Sequence, residues 1–217
     1  MSEAYIVDYV RSPFTFAKKG ALANVRPEAL GAHVVRALLD KAGVPGDEIE
    51  DIVWACAFQE GEQGLNLGRV VGLEAGLPVT TCGMTINRWC GSALQAVQAA
   101  AGMLKMGAGD AFVAGGTECT SRVPMMGFNL LPPPGWTQEQ VDAYVTVGLS
   151  AEIIAKEHNV SREEQDLFAH NSHQKALSAQ RGGRFDAEIA PYDTGDGVVD
   201  KDGCIKDTSL KKMAMLK

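Results

Sequence analysis

Apolar positions along the first half of this chain switch repeatedly between strand-like and helical spacing, and the switches mark alternating elements. Residues 4–10 are β-branched and aromatic enough to predict a strand, which Arg11-Ser-Pro-Phe14 ends. Pro27 stands where a first helical position tolerates proline. Leu30, Val34, Val35, Leu38 and Leu39 then recur at helical spacing until Gly43. A second strand is predicted within residues 49–58, a short helix over 67–74 and a third strand over 79–86. Residues 90–106 predict a helix whose apolar face is Leu94, Val97, Ala101 and Leu104. Residues 110–114 predict a fourth strand, running into Gly115-Gly116. Strand–helix alternation of this kind implies an α/β fold with helices packed on a mostly parallel sheet.

The pattern changes after Glu118. Residues 124–136 hold three consecutive prolines and predict an irregular loop. A helix is expected near Ser150, and Ser161-Arg-Glu-Glu164 is a capping box opening another that runs to about Arg181. The tail from residue 189 mixes short β-like pieces with Asp/Gly turns. Residues 1–118 therefore predict an α/β domain, and residues 119–217 a helical and loop-rich excursion.

Composition narrows the partners. A formal net charge of −7 argues against nucleic acid, which needs a basic face. No apolar run is long enough for a membrane span, and acidic residues at 3 and 8 disfavour a signal peptide. The five cysteines, at 56, 82, 90, 119 and 204, include no CxxC pair. Their odd number fits a disulfide framework poorly. These features predict a cytoplasmic protein with no metal site, bound neither to membrane nor to nucleic acid.

Candidate chemistry centres on Cys90, where a predicted strand turns into a predicted helix. A thiol in the first helical turn feels the positive end of the macrodipole, which favours the reactive thiolate. Backbone N–H groups there can also stabilise an oxyanion. Cys56 reads as core, Cys119 stays ambiguous, and Cys82 and Cys204 have no supporting context.

The run Asn87-Arg-Trp-Cys-Gly-Ser-Ala-Leu-Gln-Ala-Val97 resembles the acyl-enzyme signature of the thiolase family. Ala114-Gly-Gly-Thr-Glu-Cys-Thr-Ser-Arg-Val-Pro-Met125 resembles its Gly-Gly-x-Glu-x-Met-Ser segment, and Gly148-Leu-Ser-Ala-Glu152 its Met-Gly-x-Thr-Ala-Glu segment. Ser161-Arg-Glu-Glu-Gln-Asp166, Ser172-His173 and the stretch ending at Pro191 continue the match in order. The resemblance implies the thiolase fold and a Cys90 nucleophile. That residue would take an acyl group from acetyl-CoA or a 3-ketoacyl-CoA and pass it to CoA or acetyl-CoA. It implies no resident cofactor, since coenzyme A thioesters are the substrates. It also makes the Cys90 N–H an oxyanion donor, Val147 a lining residue of the acyl or pantetheine pocket, and residues 119–217 a CoA-covering loop domain. Lys206, Lys211, Lys212 and Lys217 could help hold CoA phosphates. The Asn87-Arg-Trp-Cys run and the short loop region look more like the degradative 3-ketoacyl-CoA branch.

Several family features have no counterpart here: a second cysteine in Cys-x-Gly-Gly-Gly, a Gly-His-Pro histidine and an Asn-Glu-Ala-Phe motif. The four histidines, at 33, 158, 170 and 173, lie in predicted helices, none followed by proline. The chain also ends before the strand that completes the family's first half. A second polypeptide carrying the C-terminal half is therefore expected, with self-association through the N-terminal domain; truncation or cleavage of a longer chain is the alternative. Competing functions are a ketoacyl-synthase-like condensing enzyme and a non-catalytic thiolase-like scaffold subunit.

Overall fold

A computed structural model describes residues 3–216 and divides the chain into two compact units. One runs to Asn129 and includes Asp186–Cys204; the other comprises Leu130–Phe185 and the chain from Ile205 onward. This division departs from the boundary at 118/119 because the flanking segments are tied into the first unit. Gln63 accepts from the Cys119 N–H at 2.6 Å, and Glu60 from the Phe128 N–H at 2.7 Å. Asp202 accepts both terminal nitrogens of Arg11, at 2.8 and 2.9 Å.

In the first unit, α1 (Pro27–Ala42) starts on its proline and closes on Gly43, which takes φ 65°. Then come β1 (Asp51–Ala55), α2 (Leu67–Glu74), β2 (Cys82–Ile86), α3 (Ser92–Met106) and β3 (Phe112–Gly116). The sheet is parallel in the order β2-β1-β3. The chain steps from β1 to β2 on one side, then crosses back over β1 to reach β3. Right-handed crossovers therefore put α2 and α3 on opposite faces. All five residues of β1 are buried, as a central strand covered on both faces requires. Ile52, Trp54 and Cys56 share one core with Val35, Leu67, Val71 and Val113, whereas Val53 faces Ala96 and Ala100 of α3.

Trp54 fits because its neighbours are glycines. A Cβ added at Gly115 would lie 2.5 Å from the indole, at Gly68 2.9 Å from the Trp54 Cβ, and at Gly31 3.0 Å from the ring. Its indole N–H donates to Thr117 Oγ1 at 3.2 Å.

Two expectations in this unit change. Residues 4–10 form no ladder among the described residues; Tyr5, Ile6, Val7 and Tyr9 are exposed, and the segment is tied to α1 by Lys41, which pairs with Asp8 and donates to Tyr9 O, ahead of a bridge between Arg11 and Ile189. A β-rich sequence still needs a neighbouring strand. In α3 the buried face is Ser92, Ala96 and Ala100, not the expected stripe. Alanines let the helix approach the sheet closely, so Leu94 (65% exposed) and Val97 (38%) point away from it.

The first unit also holds the short pair β4 (Tyr192–Asp193) and β5 (Val198–Val199). In the second unit, α4 (Gln138–Asp142) opens on a Thr137 capping box, followed by α5 (Val147–Glu157) and α6 (Arg162–Arg181). The Ser161 box opens α6 as expected. A final turn, α7 (Leu210–Met213), is held by Arg162, whose guanidinium donates to Met213 O and Leu216 O. α4 and α7 escape a periodicity reading because each is about one turn long. Among the described residues no helix is long and apolar enough to cross a membrane.

Gly115→Ala should destabilise the chain by about 1–3 kcal/mol through overpacking against Trp54. Gly102→Ala, where nothing lies within 4 Å of the added Cβ, should stabilise it by roughly 0.5–1 kcal/mol through helix propensity. Urea unfolding followed by tryptophan fluorescence distinguishes the two.

Candidate active site

The carboxyl ends of the three parallel strands lead into residues 56–58, Asn87 and residues 117–119, which are cross-linked by side chains. In open α/β sheets this end is where ligands bind. Cys90 belongs to the turn leaving β2 and is an exposed free thiol. Helix α3 begins at Ser92 with Gly91 as N-cap, so Cys90 sits just outside the first turn rather than within it. No side chain caps this helix, which leaves its first-turn N–H groups without a side-chain acceptor.

The turn is tightly specified. Trp89 adopts φ 50°, a left-handed conformation costing a β-carbon residue about 1–2 kcal/mol. Its N–H donates to Asn87 Oδ1 at 2.8 Å. Ser92, 3% exposed, accepts from the Arg88 N–H at 2.7 Å and donates to Trp89 O at 2.6 Å. The Asn87 amide nitrogen reaches across to Ala57 O at 2.8 Å. The Trp89 ring stands edge-on to Phe58, centroids 5.4 Å apart.

Behind the turn, one oxygen of Glu118 accepts from the Ala57 N–H at 2.7 Å, and the other from Gln63 Nε2 at 2.7 Å. Gln63 is fully buried and satisfied, since Nε2 also donates to Phe58 O at 2.8 Å and Oε1 takes the Cys119 N–H. Nothing in periodicity or composition marks Gln63 or Asn87. Asn87 does open the run that carries the family resemblance, and an Asn at a strand end is able to bond its own backbone two residues on.

Cys56 and Cys119 lie at the same strand ends but are buried. Burial, followed by the charge of Glu118, pushes the Cys56 thiol up to about 12. Burial raises Cys119 as well. Cys82 is exposed but starts β2, at the opposite end of that strand from the turn. Val147 is the first residue of α5 and 78% exposed. It belongs to the second unit and Cys90 to the first.

His33 lies on α1 against the edge of Tyr192, His158 caps α5, and His170 and His173 lie on α6. His173 Nδ1 accepts the Lys206 N–H at 3.3 Å. Lys211 and Lys212 fall in α7, and Lys217 lies outside the described residues. No group of three His, Cys, Asp or Glu that could hold a metal occurs among the described residues.

The class that fold and site define is a parallel α/β sheet with an exposed cysteine on the turn between its edge strand and helix α3. Comparison with known proteins makes the class specific: residues 4–217 match the family described as "Thiolase, N-terminal domain", and the chain belongs to the thiolase family. It is 45% identical over 193 residues to a 3-ketoacyl-CoA thiolase of Bacillus subtilis, covering 89% of this chain and 49% of that protein. It is 39% identical over 215 residues to one from Psychrobacter arcticus, covering 99% and 55%. One from Colwellia psychrerythraea is 41% identical over 190 residues, covering 87% and 49%. The chain thus spans about half the length of the curated relatives it matches.

Iodoacetamide at pH 8 should label Cys90 and Cys82 and spare Cys56 and Cys119. A thiol with a pKa near 12 holds almost no thiolate at pH 8, so Cys56 should react only as the pH approaches that value. Peptide mass spectrometry reads each site.

Proposed function

We propose that this chain is the nucleophile-bearing part of a thiolase-type acyltransferase, with Cys90 forming the acyl-enzyme. The observation that carries the reading is the exposed thiol on a strained, multiply bonded turn at the start of α3. The Cys90 thiolate attacks the 3-keto carbonyl of a 3-ketoacyl-CoA. The C2–C3 bond breaks, acetyl-CoA departs as a carbanion that takes up a proton, and the acyl group stays on sulfur as a thioester. A second CoA thiol then attacks this thioester, releases acyl-CoA and restores Cys90; in the reverse sense, an acetyl-CoA carbanion condenses with acyl-Cys90. The Cys90 N–H serves as one oxyanion donor. Residues 119–217 cover CoA, Val147 lines the acyl or pantetheine channel, and Lys206, Lys211 and Lys212 meet the CoA phosphates.

The proton transfers fall to groups supplied by the other thiolase half, carried on a second polypeptide or a longer form of this chain. Two surfaces of the first unit support that need. One is the outward stripe of α3 at Leu94 and Val97. The other is a cavity of about 290 Å³ lined by residues 8–15, Trp54 and residues 113–121, beside the outer edge of β3. An unpaired strand edge and an uncovered apolar stripe are ordinarily covered in a finished fold. The outer edge of β2, unpaired among the described residues, suits self-association through the first unit. Five free thiols fit a reducing, cytoplasmic setting.

The test is incubation with acetyl-CoA and acetoacetyl-CoA, alone and with a co-expressed C-terminal thiolase half, with acylation mapped by peptide mass spectrometry. Acylation should be confined to the Cys90 peptide, be lost in Cys90→Ser, and lead to turnover only with the second half. Absence of a Cys90 adduct in the complete assembly would leave a thiolase-shaped scaffold instead.

A further inference from the structure

Two of the three chain crossings between the units are fastened within a few residues of Arg11. We propose that Arg11 is a clasp that pins these roots of the second unit to the first, and so is a positioning residue for coenzyme A binding. The inference rests on the reading that residues 119–217 cover CoA.

The chain passes between the units at 129/130, 185/186 and 204/205. The return passage, Asp186–Cys204, belongs to the first unit, and residues 11–14 hold both of its ends. At its start the Arg11 N–H donates to Glu188 O and the Ala190 N–H to Arg11 O, each at 2.8 Å. At its end the Phe14 N–H donates to Asp202 Oδ1 and the Gly203 N–H to Phe14 O, again at 2.8 Å. The Arg11 guanidinium joins the two ends. Its Nε donates to Glu188 at 2.7 Å and its terminal nitrogens to Asp202 at 2.8 and 2.9 Å. The third crossing is fastened elsewhere, by the Phe128 N–H on Glu60.

An arginine fork suits this task, because it meets one carboxylate with two nitrogens and a second through Nε. A lysine offers one nitrogen and cannot span both. The Asp202 side chain is 10% exposed and those of Arg11 and Glu188 are 24% and 25%, so solvent screens these pairs less than a surface bridge. One cation here serves two carboxylates. Its removal leaves Glu188 and Asp202 as unbalanced like charges at the two roots, which drives the roots apart. Burial of Ile189 and Ala190 also holds the first root. The second root, at residues 202–204, is therefore the one that loss of Arg11 releases.

The experiment compares the unaltered chain with Arg11→Ala and Arg11→Lys, each co-expressed with a C-terminal thiolase half. It combines limited trypsin digestion, read by mass spectrometry, with steady-state kinetics on acetoacetyl-CoA at varied CoA. Lys201 is the one trypsin site within residues 186–204, and Lys105 on α3 reports the α/β core. Arg11→Ala should speed cleavage after Lys201 by roughly 3–10-fold and raise the KM for CoA by a similar factor. Its kcat should stay within about twofold, since saturating CoA restores the binding arrangement. Arg11→Lys, which keeps the charge but loses the fork, should shift both readouts the same way by less. Unchanged cleavage after Lys201 overturns the clasp. An unchanged KM in whichever variants keep Lys105 protected overturns the positioning role. Rapid cleavage after Lys105 in both variants also overturns it, making Arg11 a folding residue. An unaltered assembly without turnover brings down the acyltransferase reading and the CoA role with it, a distinct failure, because digestion at Lys201 still decides the clasp.

Discussion

The first unit depends on a large side chain being admitted to the middle of a thin parallel sheet. Trp54 lies in the central strand; a Cβ at Gly115 on β3 would collide with its indole, one at Gly31 on α1 would meet Val71 at 2.8 Å and the ring at 3.0 Å, and one at Gly68 on α2 would meet Met84 O and, at 2.9 Å, the Trp54 Cβ. Those glycines bring both helices and the neighbouring strand to the close spacing that the indole demands. Close packing of this kind tolerates little added volume, so the register of β1 against β2 and β3 is specified by it. That register sets where the strands end, and the strand ends set the heights of Ala57, Asn87 and Thr117. The frame around the Cys90 turn is in this sense a consequence of how one tryptophan is housed.

The alternation of elements was legible because it rests on local signals. Pro27 and Gly43 bracket α1, and residues 67–74 form a helix as their pattern predicts. The inward face of α3 was not legible, because Leu94, Val97, Ala101 and Leu104 make a more hydrophobic stripe than Ala96 and Ala100. Periodicity ranks side chains by apolarity, whereas a sheet selects a helix face by how closely it can approach, and alanine wins that contest. The exposed state of residues 4–10 was illegible for the complementary reason. Tyr5, Ile6 and Val7 have strand chemistry, but pairing is a property of two segments.

The site divides in the same way. Cys90 announces itself by its place between strand and helix, and the resemblance in the surrounding run identifies it further. The groups that shape its turn are polar residues whose function depends on long-range contacts: Gln63 bonds residues 55 and 56 positions away, and Glu118 reaches back 61 positions to Ala57. No local pattern encodes such partners. A buried glutamine with no satisfied bonds would be destabilising by ~1–3 kcal/mol, so its full complement of bonds is the physical mark of its role, and that mark exists only in three dimensions.

The uncovered stripe on α3 and the Cys90 turn belong to the same stretch of chain. Leu94 follows Cys90 by four residues, about one helical turn, and Val97 continues the line along the outer face. A surface that covers this stripe therefore approaches the mouth of the turn as well. Covering it excludes water from beside that turn, where hydrogen bonds then act more strongly. The bonds of Asn87 and Ser92 fix that turn from within the first unit.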